Sequence, residues 1–125
     1  MFKDQSSSAI VAVSDLAQGR RFYADTLGLE VTMDTEEVLT FRTGATLLNV
    51  YRSDAAGTNR ANAVVWGVGG DFDAVARELR GRGVRFEEYP ELGMEIAGGV
   101  HSTGGFKAIW FKDPDGNILH VNSGE

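Results

Sequence analysis

The chain has 125 residues, enough for one domain with a sizeable core, and 42% of them are hydrophobic. It contains no cysteine, which excludes disulfides, thiolate metal ligands and a cysteine nucleophile, and fits a reducing cytoplasm. Its formal net charge of −6 argues against nucleic acid or an anionic membrane as partner. No apolar run is long enough for a signal peptide or a membrane span. We therefore expect a cytoplasmic protein with no nucleic-acid or membrane partner.

The first part of the chain predicts the order β-α-β-β-β. Ala9 to Val13 is a short apolar run rich in β-branched residues, typical of a buried strand. Ser14-Asp15 offers capping side chains for a helix from Leu16 to Leu27, and Gly28 ends that helix. Alternation and turn residues then predict three strands, Leu29 to Asp34, Val38 to Arg42 and Thr46 to Tyr51.

The second part repeats this order after a linker without periodicity at residues 52–61. A strand from Ala63 to Val68 precedes a helix from Phe72 to Arg82, which Asp71 caps and Gly83 ends. The remaining strands are predicted at Val84 to Tyr89, Lys107 to Phe111 and Ile118 to Asn122. A glycine-rich loop from Pro90 to Gly105 separates the first two of these, and a loop this long in a compact domain is more often functional than idle.

The repeat predicts the fold class. We expect a single α+β domain over residues 1–125, built from two βαβββ modules at about residues 8–51 and 62–123. Each module forms a curved mixed sheet whose helix covers one face. The opposite faces must then meet across a cleft or be covered by a partner chain, so we also expect a homodimer.

Three motifs, in this order and spacing, give the chain a family resemblance over nearly its whole length. They are Val13-Ser14-Asp15-Leu16, then Phe22-Tyr23-Ala24-Asp25-Thr26-Leu27-Gly28-Leu29, and finally Asp113-Pro114-Asp115-Gly116-Asn117. Together they resemble the vicinal oxygen chelate superfamily of glyoxalases, bleomycin-resistance proteins and extradiol dioxygenases. The motifs themselves are mostly core packing and turn residues, so they indicate the fold and leave the chemistry open.

The resemblance also implies where a metal would be held. In metal-dependent members each module supplies one ligand from its first strand and one from its last, usually His or Gln and then Glu. Those positions correspond here to Ser8, Asn49, Ala63 and His120. A hydroxyl, an amide, a methyl group and one imidazole make a poor metal site, and neighbouring positions add no His, Asp or Glu. We therefore predict no metal and no other cofactor.

The remaining candidates surround the expected cleft. Alternation places Tyr51 on the same face as Asn49, and His120 is the only candidate for catalysis, as a general acid or base. A lone histidine on a strand is nevertheless more often structural. Glu95 and His101 lie in the predicted Pro90 to Gly105 loop, where solvent exposure is expected and from which they could close over a ligand.

These observations favour a protein that binds a small organic molecule in the cleft between its modules, without a metal, as the resistance-type relatives do. We predict that the ligand contacts Ser8, Asn49, Tyr51, Ala63, Glu95, His101 and His120. One alternative is an enzyme of lyase, isomerase or dioxygenase type that uses an atypical metal site or His120. A second alternative is a dimeric scaffold with a vestigial cleft.

Overall fold

The structure, a computed structural model, describes residues 1–124 of the chain. It divides into two compact units, Met1–Gly57 and the part from Thr58 onward. No helix within the described residues is long and apolar enough to cross a membrane. In chain order the elements are β1 (Ala9–Val13), α1 (Leu16–Arg20), a π-helix (Arg21–Thr26), β2 (Glu30–Asp34), β3 (Val38–Thr43), β4 (Thr46–Arg52), β5 (Asn62–Gly67), a 3-10 turn (Gly69–Asp71), α2 (Phe72–Gly81), a 3-10 turn (Pro90–Leu92), β6 (Glu95–Ala97), β7 (Val100–Thr103), β8 (Phe106–Lys112) and β9 (Ile118–Asn122).

The first unit is a four-stranded sheet in the order β1-β4-β3-β2, with β1 parallel to β4. Asp15 caps α1 by accepting a hydrogen bond from the amide of Gln18, as its side chain predicts. Gly19 brings α1 close to the sheet, because a Cβ at this position would lie 3.4 Å from Val13 and 3.5 Å from Val50. One face of the sheet therefore packs under the helix, and its buried side chains are Val11, Val13, Leu39, Phe41, Leu48 and Val50.

The predicted helix from Leu16 to Leu27 is present, but its second half is wound as a π-helix. The amide of Leu27 donates to the carbonyl of Phe22, five residues back. Within this segment Tyr23 is fully buried, with its ring 6.0 Å from that of Phe41. The wider turn thus accompanies the insertion of one large aromatic side chain into the core.

The second unit is a five-stranded sheet in the order β5-β9-β8-β7-β6, with β5 parallel to β9. Helix α2 covers one face, since Asp73 on α2 forms an ion pair with Lys107 on β8. The α+β class predicted from the repeat is confirmed, because each unit is a mixed sheet that carries one covering helix. The buried side chains of this unit include Phe72, Ala76, Leu79, Ile109, Phe111, Leu119 and Val121.

Two predictions for the second unit are wrong. Residues Val84 to Tyr89 form no regular strand, and the segment from Pro90 to Gly105 is not a loop but contains the β6–β7 hairpin. The cause lies in the edge of β8. Strand β7 pairs with the first half of β8 and occupies that part of its edge. The segment from Val84 to Tyr89 contacts β8 beyond β7, where the amide of Glu87 donates to the carbonyl of Trp110.

Candidate functional site

The face of the first sheet opposite α1 combines exposed apolar side chains with a few polar groups. Because side chains alternate along a strand, Asn49 and Tyr51 share this helix-free face, as predicted, and Leu47 lies there with them. Ile10 lies beside Asn49 on β1 and is 63% exposed. Thr40 lies beside Asn49 on β3. The result is an apolar surface with polar groups at its centre.

The polar pair at this centre has a defined hydrogen-bond direction. The Thr40 hydroxyl donates to Oδ1 of Asn49 at 2.8 Å, and Thr40 is only 4% exposed. Within residues 1–124 no acceptor binds the Asn49 Nδ2 group or the Tyr51 hydroxyl. Two hydrogen-bond donors are therefore left for a ligand on this face.

The corresponding face of the second sheet carries a cluster of rings. His120 on β9 lies opposite Trp110 on β8, and the two rings stack with their centroids 4.5 Å apart. His101 and Tyr89 meet Trp110 edge-on, at 4.8 Å and 5.5 Å. Val65, the neighbour of His120 on β5, is 58% exposed. This helix-free face is thus aromatic and apolar, with His120 at its centre.

Hydrogen bonds fix the protonation state of His120. Its Nδ1 lies 3.1 Å from the carbonyl of Ile109, to which only a protonated nitrogen can donate. Its Nε2 lies 3.1 Å from Nδ2 of Asn122, whose Oδ1 accepts from the amide of Gly124. Asn122 therefore donates, and Nε2 accepts. Burial lowers the pKa of His120 below its usual value, against the opposing effect of the bond to Ile109. The ring is held neutral with its lone pair engaged.

The solvent-exposed position predicted for His101 is wrong. His101 lies on β7 and is fully buried. Its Nδ1 donates to the carbonyl of Gly99 at 3.2 Å, and its Nε2 accepts from the amide of Tyr89 at 2.9 Å. Both ring nitrogens therefore form hydrogen bonds with backbone groups, and the ring connects the β6–β7 hairpin to the segment before it.

The other predicted residues are distributed between the two units. Ser8 is exposed and precedes β1, in the same unit as Asn49 and Tyr51. Ala63 lies on β5 next to a shift in register, and Glu95 is exposed on β6 rather than in a mobile loop. Of the seven residues, the structure brings together Asn49 with Tyr51 on one face, and His101 with His120 around Trp110. The ligand-binding roles themselves stay predictions.

Sequence reasoning missed Thr40 and Asn122, the two residues that orient Asn49 and His120. The signal for Thr40 was present. The tight turn at Thr43-Gly44 sets the register of β3 on β4, and counting back from it pairs Thr40 with Asn49. Asn122 was predicted as the last residue of the strand from Ile118, and nothing in the sequence assigned it a role.

The family comparison agrees with this architecture. The family model for the Glyoxalase/Bleomycin resistance protein/Dioxygenase superfamily matches residues 6–121. This chain belongs to that superfamily. No functionally curated protein matches its sequence. Among solved structures of the superfamily fold, the fosfomycin resistance protein FosX from Mesorhizobium loti is 15% identical, with a TM-score of 0.70, over 98% of this chain and 93% of that one.

Two further structures are similar over almost their whole length. Lactoylglutathione lyase from Agrobacterium tumefaciens is 16% identical, with a TM-score of 0.71, over 95% of this chain and 92% of that one. A glyoxalase family protein from Enterococcus faecalis is 20% identical, with a TM-score of 0.72, over 98% and 99%. At these identities the likeness shows the superfamily fold and leaves the ligand open.

The residues of this superfamily member do not fit a divalent metal. No group of three or more His, Asp or Glu side chains that could hold an ion occurs among residues 1–124. Ala63 has no donor atom, Oδ1 of Asn49 already accepts from Thr40, and Nε2 of His120 already accepts from Asn122. The single lone pair of His120 Nε2 is thus engaged, and a neutral amide oxygen that already accepts one bond is a weak metal ligand.

Proposed function

We propose that this protein binds a small organic molecule on the helix-free faces of its sheets, without a resident metal ion. The observation that carries this proposal is the composition of the first face. Exposed Ile10 and Leu47 flank two unpaired donors, on Asn49 and Tyr51. An apolar surface with a few convergent polar groups is what organic ligands require, because apolar contact supplies affinity and the polar groups fix orientation.

The second helix-free face supports the same function. Trp110 and His120 form a flat stacked pair beside the exposed side chain of Val65. Trp110 and His120 are themselves only 7% and 9% exposed, so the exposed side chain of Val65 beside this aromatic base is the part accessible to apolar groups of a ligand. Solved structures of similar fold include fosfomycin resistance proteins and a lactoylglutathione lyase, whose names refer to small molecules.

The hydrogen bonds of His120 favour binding over catalysis by this residue. A general base needs a free lone pair, and the lone pair of Nε2 accepts from Asn122. Releasing it would require Asn122 to turn, which would break its bond to the amide of Gly124. A catalytic role for His120 is therefore the weaker proposal.

The ligand proposal is tested by screening ¹⁵N-labelled protein against a fragment library of small aromatic and aliphatic acids, amides and amines. We expect hits to shift the backbone signals of β1 and β4 around Ile10 and Asn49. Leu47→Ala should weaken each hit about 3- to 10-fold, because it removes apolar contact area. Leu92→Ala is the matched control, since Leu92 is 48% exposed but lies outside the sheets. Equal weakening by both variants would contradict the proposed site.

We further propose that the protein is a homodimer. Large apolar side chains are exposed on the helix-free faces, and burying them against a second copy would remove them from water. Apart from the side chains assigned to the ligand, they are Met33 on β2 in the first unit and Phe106 on β8 in the second.

A further inference from the structure

We infer that Asn49 is a fixed hydrogen-bond donor, and that the ligand presents a carbonyl or carboxylate oxygen to it rather than a cationic group. This inference rests on the proposed function and specifies its ligand. It concerns the end of the Asn49 carboxamide that faces away from Thr40. An amide can offer either its oxygen or its nitrogen to a ligand, so the chemistry of the site depends on which end is already engaged.

Thr40 engages the oxygen. Its hydroxyl lies on the neighbouring strand in direct register with Asn49 and donates to Oδ1 at 2.8 Å. Within the described part of the chain this hydroxyl proton has no other acceptor. Turning the carboxamide over would therefore leave a buried hydroxyl proton without a partner, which costs about 1–3 kcal/mol. The buried Thr40 thus holds Asn49 with its two N–H groups outward.

No negatively charged residue lies directly beside the outward N–H groups of Asn49 on the neighbouring strands. The direct strand neighbours of Asn49 are Ile10 and Thr40, both uncharged. On this face Arg42 and Glu30 form an ion pair at 2.8 Å. A cationic ligand group at Asn49 would meet N–H groups, and the direct strand neighbours of Asn49 supply no carboxylate, whereas an acceptor oxygen would pair with the N–H groups.

Tyr51 adds a second group of the same kind. It stands two residues after Asn49 on the same face of β4, and its hydroxyl has no partner among residues 1–124. The two Cα atoms are about 6.7 Å apart, as for any residues i and i+2 of a strand. A hydroxyl can also donate, so one ligand with one or two acceptor oxygens could satisfy both residues.

The test uses three probes that share one ring and differ in the attached group: benzoate, benzamide and benzylammonium. The readout is the side-chain NH₂ signal of Asn49 in the ¹⁵N-labelled full chain, assigned by its loss in Asn49→Asp. We expect benzoate and benzamide to shift this signal in a saturable way, and benzylammonium not to shift it. In Asn49→Asp the preference should reverse toward benzylammonium, because a carboxylate replaces the donor.

Two variants test the orienting role of Thr40. Thr40→Val keeps the shape and removes the hydroxyl, so we expect benzoate to bind about 2- to 10-fold more weakly, the equivalent of one neutral hydrogen bond. Thr40→Ser keeps the hydroxyl and should bind benzoate like the wild type. If Thr40→Val does not fold, the Asn49 signal of the wild type and the Thr40→Ser variant still decide the matter.

Three outcomes would overturn the inference. One is a shift of the Asn49 NH₂ signal by benzylammonium, and another is unchanged benzoate affinity in folded Thr40→Val. The third is selective, saturable broadening of Asn49 signals by stoichiometric Mn²⁺. If probes shift the backbone of β4 without moving the Asn49 NH₂ signal, the donor role fails and the proposed function stands. If neither the probes nor any library compound shifts this face, both fail.

Discussion

The imidazole of His120 lies flat against the indole of Trp110, with ring centroids 4.5 Å apart and an angle of 18° between the planes. The stack holds the ring on the sheet. Its Nδ1 donates to the carbonyl of Ile109, and its Nε2 accepts from the side-chain amide of Asn122. A proton added to Nε2 would face the N–H groups of Asn122 in a partly desolvated position. Burial and the facing Asn122 donor therefore make His120 sensitive to acid.

Because burial lowers the pKa of His120, this residue should make the protein less stable in acid. Between the lowered folded value and the unfolded value of about 6.5, the unfolded chain binds more protons than the folded one. The contribution is therefore complete above about pH 6.5 and is lost as the pH falls through that window. Denaturant unfolding at pH 7.5 and pH 5.5 should show a larger loss for the wild type than for His120→Gln. Equal losses would contradict this assignment.

Replacing Asn122 by aspartate should reverse the sign of this effect. Asn122→Asp keeps an oxygen for the amide of Gly124 but places a carboxylate 3.1 Å from Nε2, where the amide nitrogen now lies. An adjacent negative charge favours the protonated ring, so the pKa of His120 should rise above its usual value. An NMR titration of the His120 ring measures this directly. Asn122→Ala, which adds no charge, is the control and should not raise it above that value.

The proposed dimer should depend on the helix-free face of the first sheet. Light scattering at micromolar concentration should give about 27 kDa, twice the 13.5 kDa of one chain. Met33→Asp places a charge on that face and should shift the mass toward the monomer, because an unpaired charge in an apolar interface is costly. Leu92→Asp, at a similarly exposed apolar residue outside the sheets, should leave the mass unchanged. A monomeric wild type would exclude the dimer.

The turn of the β6–β7 hairpin should tolerate no side chain at its second residue. Gly99 has a φ of +82°, and a Cβ there would lie 2.7 Å from Cβ of Phe86. Gly99→Ala should therefore cost about 1–3 kcal/mol beyond the backbone penalty for a left-handed residue. Gly104→Ala is the matched control, since its φ is +53° and the space around it is open. Similar losses in thermal unfolding would mean that Phe86 gives way.

The strands of the first unit could be predicted from the sequence almost to the residue. Apolar and polar side chains alternate along these strands, and glycines mark the turns between elements. The predicted strand from Val38 to Arg42 ends one residue short, and the strand from Thr46 to Tyr51 also ends one residue short. In the second unit, the turn at Asp113 also has the geometry that its sequence indicates. The Asp113 carboxylate accepts the amides of Asp115 and Asn117.

The second unit resisted prediction where two segments compete for one strand edge. Val84 to Tyr89 has the composition of a strand, but Gly98-Gly99 between two short runs is also the signal of a two-residue hairpin turn. Which segment pairs with β8 depends on tertiary contacts such as the bond from the Tyr89 amide to His101. The wrong prediction for His101 followed from that error, because a loop residue is expected to be exposed, whereas His101 on strand β7 is buried.

The division of the β8 edge between β7 and Glu87 also bears on aggregation. A long, flat strand edge with unpaired amides and carbonyls recruits further strands from other molecules. Here that edge is covered in two pieces, and the strand left outermost, β6, has only three residues and begins with the exposed carboxylate of Glu95. A short outer strand that carries a negative charge offers little template for cross-β growth. The hairpin thus limits self-association through this edge of the second sheet.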